Sequence, residues 1–126
     1  MWEAAAATAG DLLARLAVVP LVLEARGLDV TPEMAVRLER AGDAQSAAIL
    51  HHIYQQEIGH VAIGRRWLAD RCAAQGLDPE QVFHDRVRRF FRAPLKPPFN
   101  HAARAAAGFP ARYYEPLAEP GEPGAG

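Results

Sequence analysis

Glu24, Glu57 and His60 combine side-chain types and spacings that could hold a metal ion. Glu57 and His60 are three apart, so on a helix both leave the same face and could reach one ion together. Around them, steps of three or four from Ala47 through Leu50, Ile53/Tyr54, Val61 and Gly64 to Trp67/Leu68 trace an apolar stripe, with the pair in its middle. An ionised carboxylate buried there without a partner costs on the order of several kcal/mol. A cation is one partner that removes the cost. Glu24 repeats the anomaly, as the next position on the face made by Leu13, Leu16/Ala17 and Pro20/Leu21. Taken singly, Glu57 with His60 also fits a surface pair overlapping the apolar face, and Glu24 fits a solvated helix end near Arg26. Together the three favour a shared site.

The elements that must position these residues are helices, because no alternating strand pattern occurs. The fold class is all-α. A first helix is expected from about Glu3 to Arg26, closed by Gly27, with Pro20 kinking or widening it one turn before Glu24. Thr31-Pro32 reads as the start of a short second helix ending near Gly42. Asp43 then caps a long helix from about Ala44 to Gln75, closed by Gly76. Asp78-Pro79-Glu80 starts an amphipathic helix running to about Phe91. Three prolines exclude a helix between Ala93 and Asn100, and a short one is expected near His101 to Ala107. The Pro/Gly-rich stretch 116–126 reads as a disordered tail to a domain spanning 1–115. Glu24 and Glu57 are 33 residues apart, enough for a turn, a linker helix and an antiparallel return to the same depth.

Length and charge narrow the classes. At 126 residues, half of them apolar and with net charge −1, the chain fits one small soluble domain. No run of 18 apolar residues is free of charge, so no membrane contact is expected. Leu12 to Leu23 lacks the basic flank of a signal peptide, carries Arg15 and is followed by Glu24, so a cytoplasmic location is expected. The single cysteine, Cys72, excludes an internal disulfide or a cysteine-based cluster. His51 and His52 point away from the Glu57 stripe, and Glu80 with His84 reads as a surface pair. In residues 78–112, seven cations against Asp78, Glu80 and Asp85 leave +4, interleaved with aromatics. The basic segment 86–112 could therefore meet nucleic acid. A pI of 6.5 instead favours aromatics buried in the bundle beneath a solvated arginine rim.

Three separated motifs occur in order: Leu16 to Pro32 (LAVVPLVLEARGLDVTP); Gln56 to Gly64 (QEIGHVAIG) followed by Arg66-Trp67; and Pro98-Phe99-Asn100 with Ala107-Gly108-Phe109. Over about residues 1–115 they closely resemble the C-terminal half of a bacterial ferritin-like family, the domain of unknown function four-five-five. The resemblance implies a four-helix bundle in which two single-Glu helices and two Glu-x-x-His helices hold two metal ions, a ligand pattern general to such bundles. Carried over, Glu24 is the single-Glu ligand and Glu57 with His60 the Glu-x-x-His pair. Gln56 departs from the acidic residue common before that Glu. The implied cofactor is iron, with manganese as the other fit, and the implied activity is oxygen-dependent oxidation. No second Glu-x-x-His occurs here, so the resemblance implies half a site. Its expected partner is a second copy of the chain, as a homodimer, or an N-terminal half-domain. A non-catalytic helical module whose site is never completed is the alternative. A bare hairpin would leave its apolar stripe uncovered, which predicts self-association.

Overall fold

The computed structural model describes Thr8 and residues 10–120 of the chain. Asp11 opens α1 (Leu12–Val18), its carboxylate accepting the Ala14 amide at 3.0 Å. The chain passes without interruption through a π-helical turn, Val19–Glu24, into α2 (Ala25–Arg40). Gly42, with φ of 85°, supplies the left-handed turn that reverses direction. Asp43 then caps α3 (Ala44–Ala74), accepting the Ser46 amide at 3.0 Å. At 31 residues, α3 is about 46 Å long. After Asp78, α4 (Pro79–Phe90) packs along α1. Two short helices, α5 (His101–Ala106) and α6 (Ala111–Tyr114), and a 3₁₀ turn, Glu115–Leu117, complete the fold.

The architecture is an antiparallel hairpin of two long rods, with α4 and the C-terminal segment wrapped over one side. Leu21, Leu28, Val61, Leu68, Phe83, Phe109 and Tyr114 share one buried cluster. The aromatic rings pack edge to face, Phe83 on Phe109 at 5.5 Å between centroids. Among the described residues the fold is all-α, with one isolated bridge between Leu95 and Ala118. None of the described helices is long and apolar enough to cross a membrane.

The first rod departs from expectation. Part of the helix expected from Glu3 lies outside the described residues, and α1 starts only at Leu12, after a turn in which the Asp11 amide bonds the Thr8 carbonyl. Gly27 ends nothing, and Pro32 lies inside α2 instead of starting a helix. A proline there removes one amide and orphans the carbonyl four residues back. That carbonyl, Leu28 O, accepts the Asn100 side-chain amide at 3.0 Å. Leu28 and Ala35, on either side of the proline, are fully buried. Tertiary contacts thus carry the helix through a local stop signal.

The tail also differs. The segment 115–120 is built into the fold: Leu117 is buried, and Leu95 exchanges backbone hydrogen bonds with Leu117 and Glu119 at 2.9 and 2.7 Å. Residues 121–126 of the expected tail lie outside the described residues. Nor is the hairpin bare, since α4 and the C-terminal segment bury Leu13 and Leu21.

Candidate metal centre

Pro20 shapes the first wall of the site. Lacking an amide hydrogen, it cannot bond the Leu16 carbonyl, and the helix widens just beyond it. The Ala25 amide reaches back five residues to the Pro20 carbonyl, which defines the π turn. The Pro20 ring sits directly on Gly64 of α3: a Cβ there would lie 2.5 Å from the Pro20 Cβ. Glycine is required for this close approach, which brings the end of the π turn, Glu24, beside the middle of α3.

Glu57 and His60 meet it there. The three side chains each offer one ligand atom, all within 4.8 Å of one another. His60 Nδ1 lies 3.3 Å from Glu57 Oε1. Bonds of about 2.1 Å hold two ligands of one ion roughly 3–4 Å apart, so a small inward movement would suffice. Among the described residues no Lys or Arg pairs with Glu24 or Glu57. Burial first, and the Glu57 carboxylate second, raise the pKa of Glu24 above its ordinary range, while His60 pulls it partly back. Two oxygen donors and one imidazole around an uncompensated negative point fit a divalent cation of the iron or manganese type.

The expected stripe on α3 divides into two seams. Ala47, Leu50, Tyr54, Glu57, Val61, Gly64 and Leu68 follow a three-four spacing on the covered side, with Ala47, Val61, Gly64 and Leu68 buried. A second seam with the same spacing runs beside it through Ile49, Ile53, Gln56, His60, Ile63 and Trp67. Its four large apolar members are 42–57% exposed. Ile53 and Trp67, expected in the covered stripe, therefore belong to the open one. Glu57 stands on the covered seam and His60 on the open seam, so the site opens onto an apolar face with a heptad-like spacing.

The other candidate groups have structural partners. His51 lies 3.3 Å from Glu39, and His52 is exposed. Glu80 and His84 do not pair with each other: Glu80 accepts from Arg112 at 3.0 Å, and His84 Nε2 meets the Arg112 and Tyr113 carbonyls at 3.1 and 2.9 Å. Both tie α4 to α6. Tyr113, Tyr114 and Phe109 are buried, so they offer no stacking platform to nucleic acid. Arg104 is not part of a solvated rim. It is 3% exposed and grips Asp29, through Nε at 3.0 Å and Nη2 at 2.7 Å. This pair escaped the sequence reading. Its only local signal is an acid flanked by Leu28 and Val30.

Residues 1–115 match the family described as "Protein of unknown function (DUF455)". The chain belongs to this family. It is similar to an uncharacterized protein of Haemophilus influenzae, at 40% identity over 109 residues, 86% of this chain and 38% of that relative. The chain thus spans well under half the length of the relative it matches. No solved structure matches it.

Proposed function

We propose that this family member supplies half of a ferritin-like di-metal carboxylate centre, with Glu24, Glu57 and His60 as ligands to iron or manganese. The observation that carries the proposal is the convergence of three ligand atoms within 4.8 Å, from two helices, with no Lys or Arg pairing with either carboxylate among the described residues. The π turn and the Pro20–Gly64 contact hold Glu24 in place. Glu57 orients the imidazole of His60. A redox-active metal pair bound there supplies dioxygen reduction, which makes the complete protein an oxygen-dependent oxidoreductase.

The missing ligands come from a second helix pair docking on the open seam. Burying Ile49, Ile53, Ile63 and Trp67 there would gain roughly 1.5–3 kcal/mol for each side chain fully covered, and would shield His60 from water. A two-fold dimer sets two copies of the three ligands face to face. An N-terminal half-domain of a longer polypeptide does the same with its own ligands.

Anaerobic titration of the metal-free chain with Fe²⁺, read by metal content and thermal unfolding, tests the proposal. Ligand at a hundredfold excess over Kd stabilises by about 2.7 kcal/mol. That gain is expected for the native chain and should vanish in Glu57→Ala and His60→Ala. Equal metal content in native and variant proteins would refute the site. Sedimentation of the same samples reports whether a second copy completes it, through a shift to dimer when iron is present.

A further inference from the structure

A cavity lies apart from the metal ligands, and none of the described residues fills it. It is a half-open hollow of about 340 Å³, within the size range of small-molecule sites, roughly 300–1,000 Å³. One wall is the outer side of the π turn and the start of α2; the other is the irregular segment 91–99. Leu21, Val22, Phe91, Leu95 and Phe99 make the walls almost wholly apolar. The one acid in the lining, Asp29, is already neutralised by Arg104.

The charge at the opening is one-sided. Arg26 and Lys96 are the exposed cations of the lining. Arg26 donates to the Lys96 carbonyl at 2.8 Å, which holds the two sides of the rim together. Among the described residues no carboxylate pairs with Arg26 or Lys96, so the rim carries two uncompensated positive charges. An apolar hollow under a cationic rim selects against both bare anions and cationic amphiphiles. The former cannot use the walls, and the latter meet like charge.

We propose that this cavity binds an amphipathic carboxylate, its apolar body against Leu21, Val22 and Phe99 and its head group between Arg26 and Lys96. The proposal is independent of the metal centre, because the two sites share no side chain.

The test uses octanoate, octanol and octyltrimethylammonium, titrated into the full chain and followed by the methyl NMR signals of Leu21, Val22 and Leu95. Octanoate should saturate and shift these signals, with octanol at least about tenfold weaker and the ammonium compound weaker still. Lys96→Glu should weaken octanoate by about tenfold and leave octanol unchanged. Ala93→Trp, which fills the opening with an exposed side chain, should abolish binding of both. Absence of saturable octanoate binding would overturn the proposal, as would octanol binding equally well. Octanoate binding that survives Lys96→Glu or Ala93→Trp would do the same.

Discussion

Glu24 and Asp29 project from the same helical rod, five residues apart, and the chain surrounds them in opposite ways. Asp29 has a side-chain exposure of 1% and receives three donors: the Asn100 amide at 2.8 Å and two guanidinium nitrogens of Arg104. Every charge there is answered within the chain. Glu24 faces another carboxylate, which aggravates its charge, and a half-exposed imidazole that relieves it only in part. The first arrangement is a clasp, locking the C-terminal segment onto α2 where Pro32 leaves a carbonyl free. The second leaves its charge to be relieved by a proton or by a bound cation. The two acids thus differ in whether the described residues supply a counter-charge.

The sharpest way to break that contrast is to open the clasp. Arg104→Leu leaves Asp29 charged and buried, and should cost about 3–5 kcal/mol in urea denaturation. The double variant Asp29→Leu/Arg104→Leu should recover most of that loss, since it removes both charges together. A single variant as stable as the native chain would show that the pair is dispensable.

Packing beneath the proposed metal centre comes next in size. Gly64→Ala drives a methyl group into the Pro20 ring and should destabilise by about 1–3 kcal/mol. The same change should weaken iron binding, because the π turn carrying Glu24 must shift. Gly59→Ala is the control, since a Cβ there meets nothing within 4 Å. It should stabilise the helix by roughly 0.5–1 kcal/mol. If both variants behave alike, the Pro20–Gly64 contact does not position the site.

These same residues show what the sequence could reveal. The limits of α3 and α4 were legible because their signals are local: the Asp43 cap, Gly76, and Asp78-Pro79. The three candidate ligands were legible because each interrupts an apolar stripe. The continuity of α2 through Pro32 was not, since it depends on Asn100, 72 residues from Leu28. Arg104 likewise looks like a surface arginine in an alanine-rich stretch until its partner, 75 residues distant, is placed beside it. The open seam was hidden for another reason. Ile53 and Trp67 have core composition, and only the way the first rod docks, with α4 and α5 beside it, decides which side of α3 is covered.

Substituting a proposed metal ligand should change the metal-free protein far less than either change above. Glu24→Gln keeps the shape and removes a charge that no described Lys or Arg pairs with, so metal-free stability should stay within about 0.5 kcal/mol of native. Stabilisation by iron should be lost. Glu24→Gln costing as much as Arg104→Leu would make Glu24 a structural acid, and the contrast with Asp29 would collapse.

The smallest effect expected is a pH dependence, and its sign tests whether Glu24 has a counter-charge. Burial and the Glu57 charge raise the folded pKa of Glu24 above its ordinary value of 4.5. Between those two values the folded metal-free chain holds a proton that the unfolded chain has released. The contribution of Glu24 is therefore fully present below about pH 4.5 and is lost as pH rises through the raised folded value. Glu24→Gln cannot titrate, so native stability should fall relative to the variant as pH rises across that window. Urea midpoints of the two proteins, measured at matched pH values, give this difference directly and cancel the other carboxylates. A bound cation favours the ionised form, so iron affinity should strengthen over the same interval in which the metal-free fold weakens. A native-minus-variant difference that is flat, or that rises with pH, would mean Glu24 already has a counter-charge in the metal-free chain.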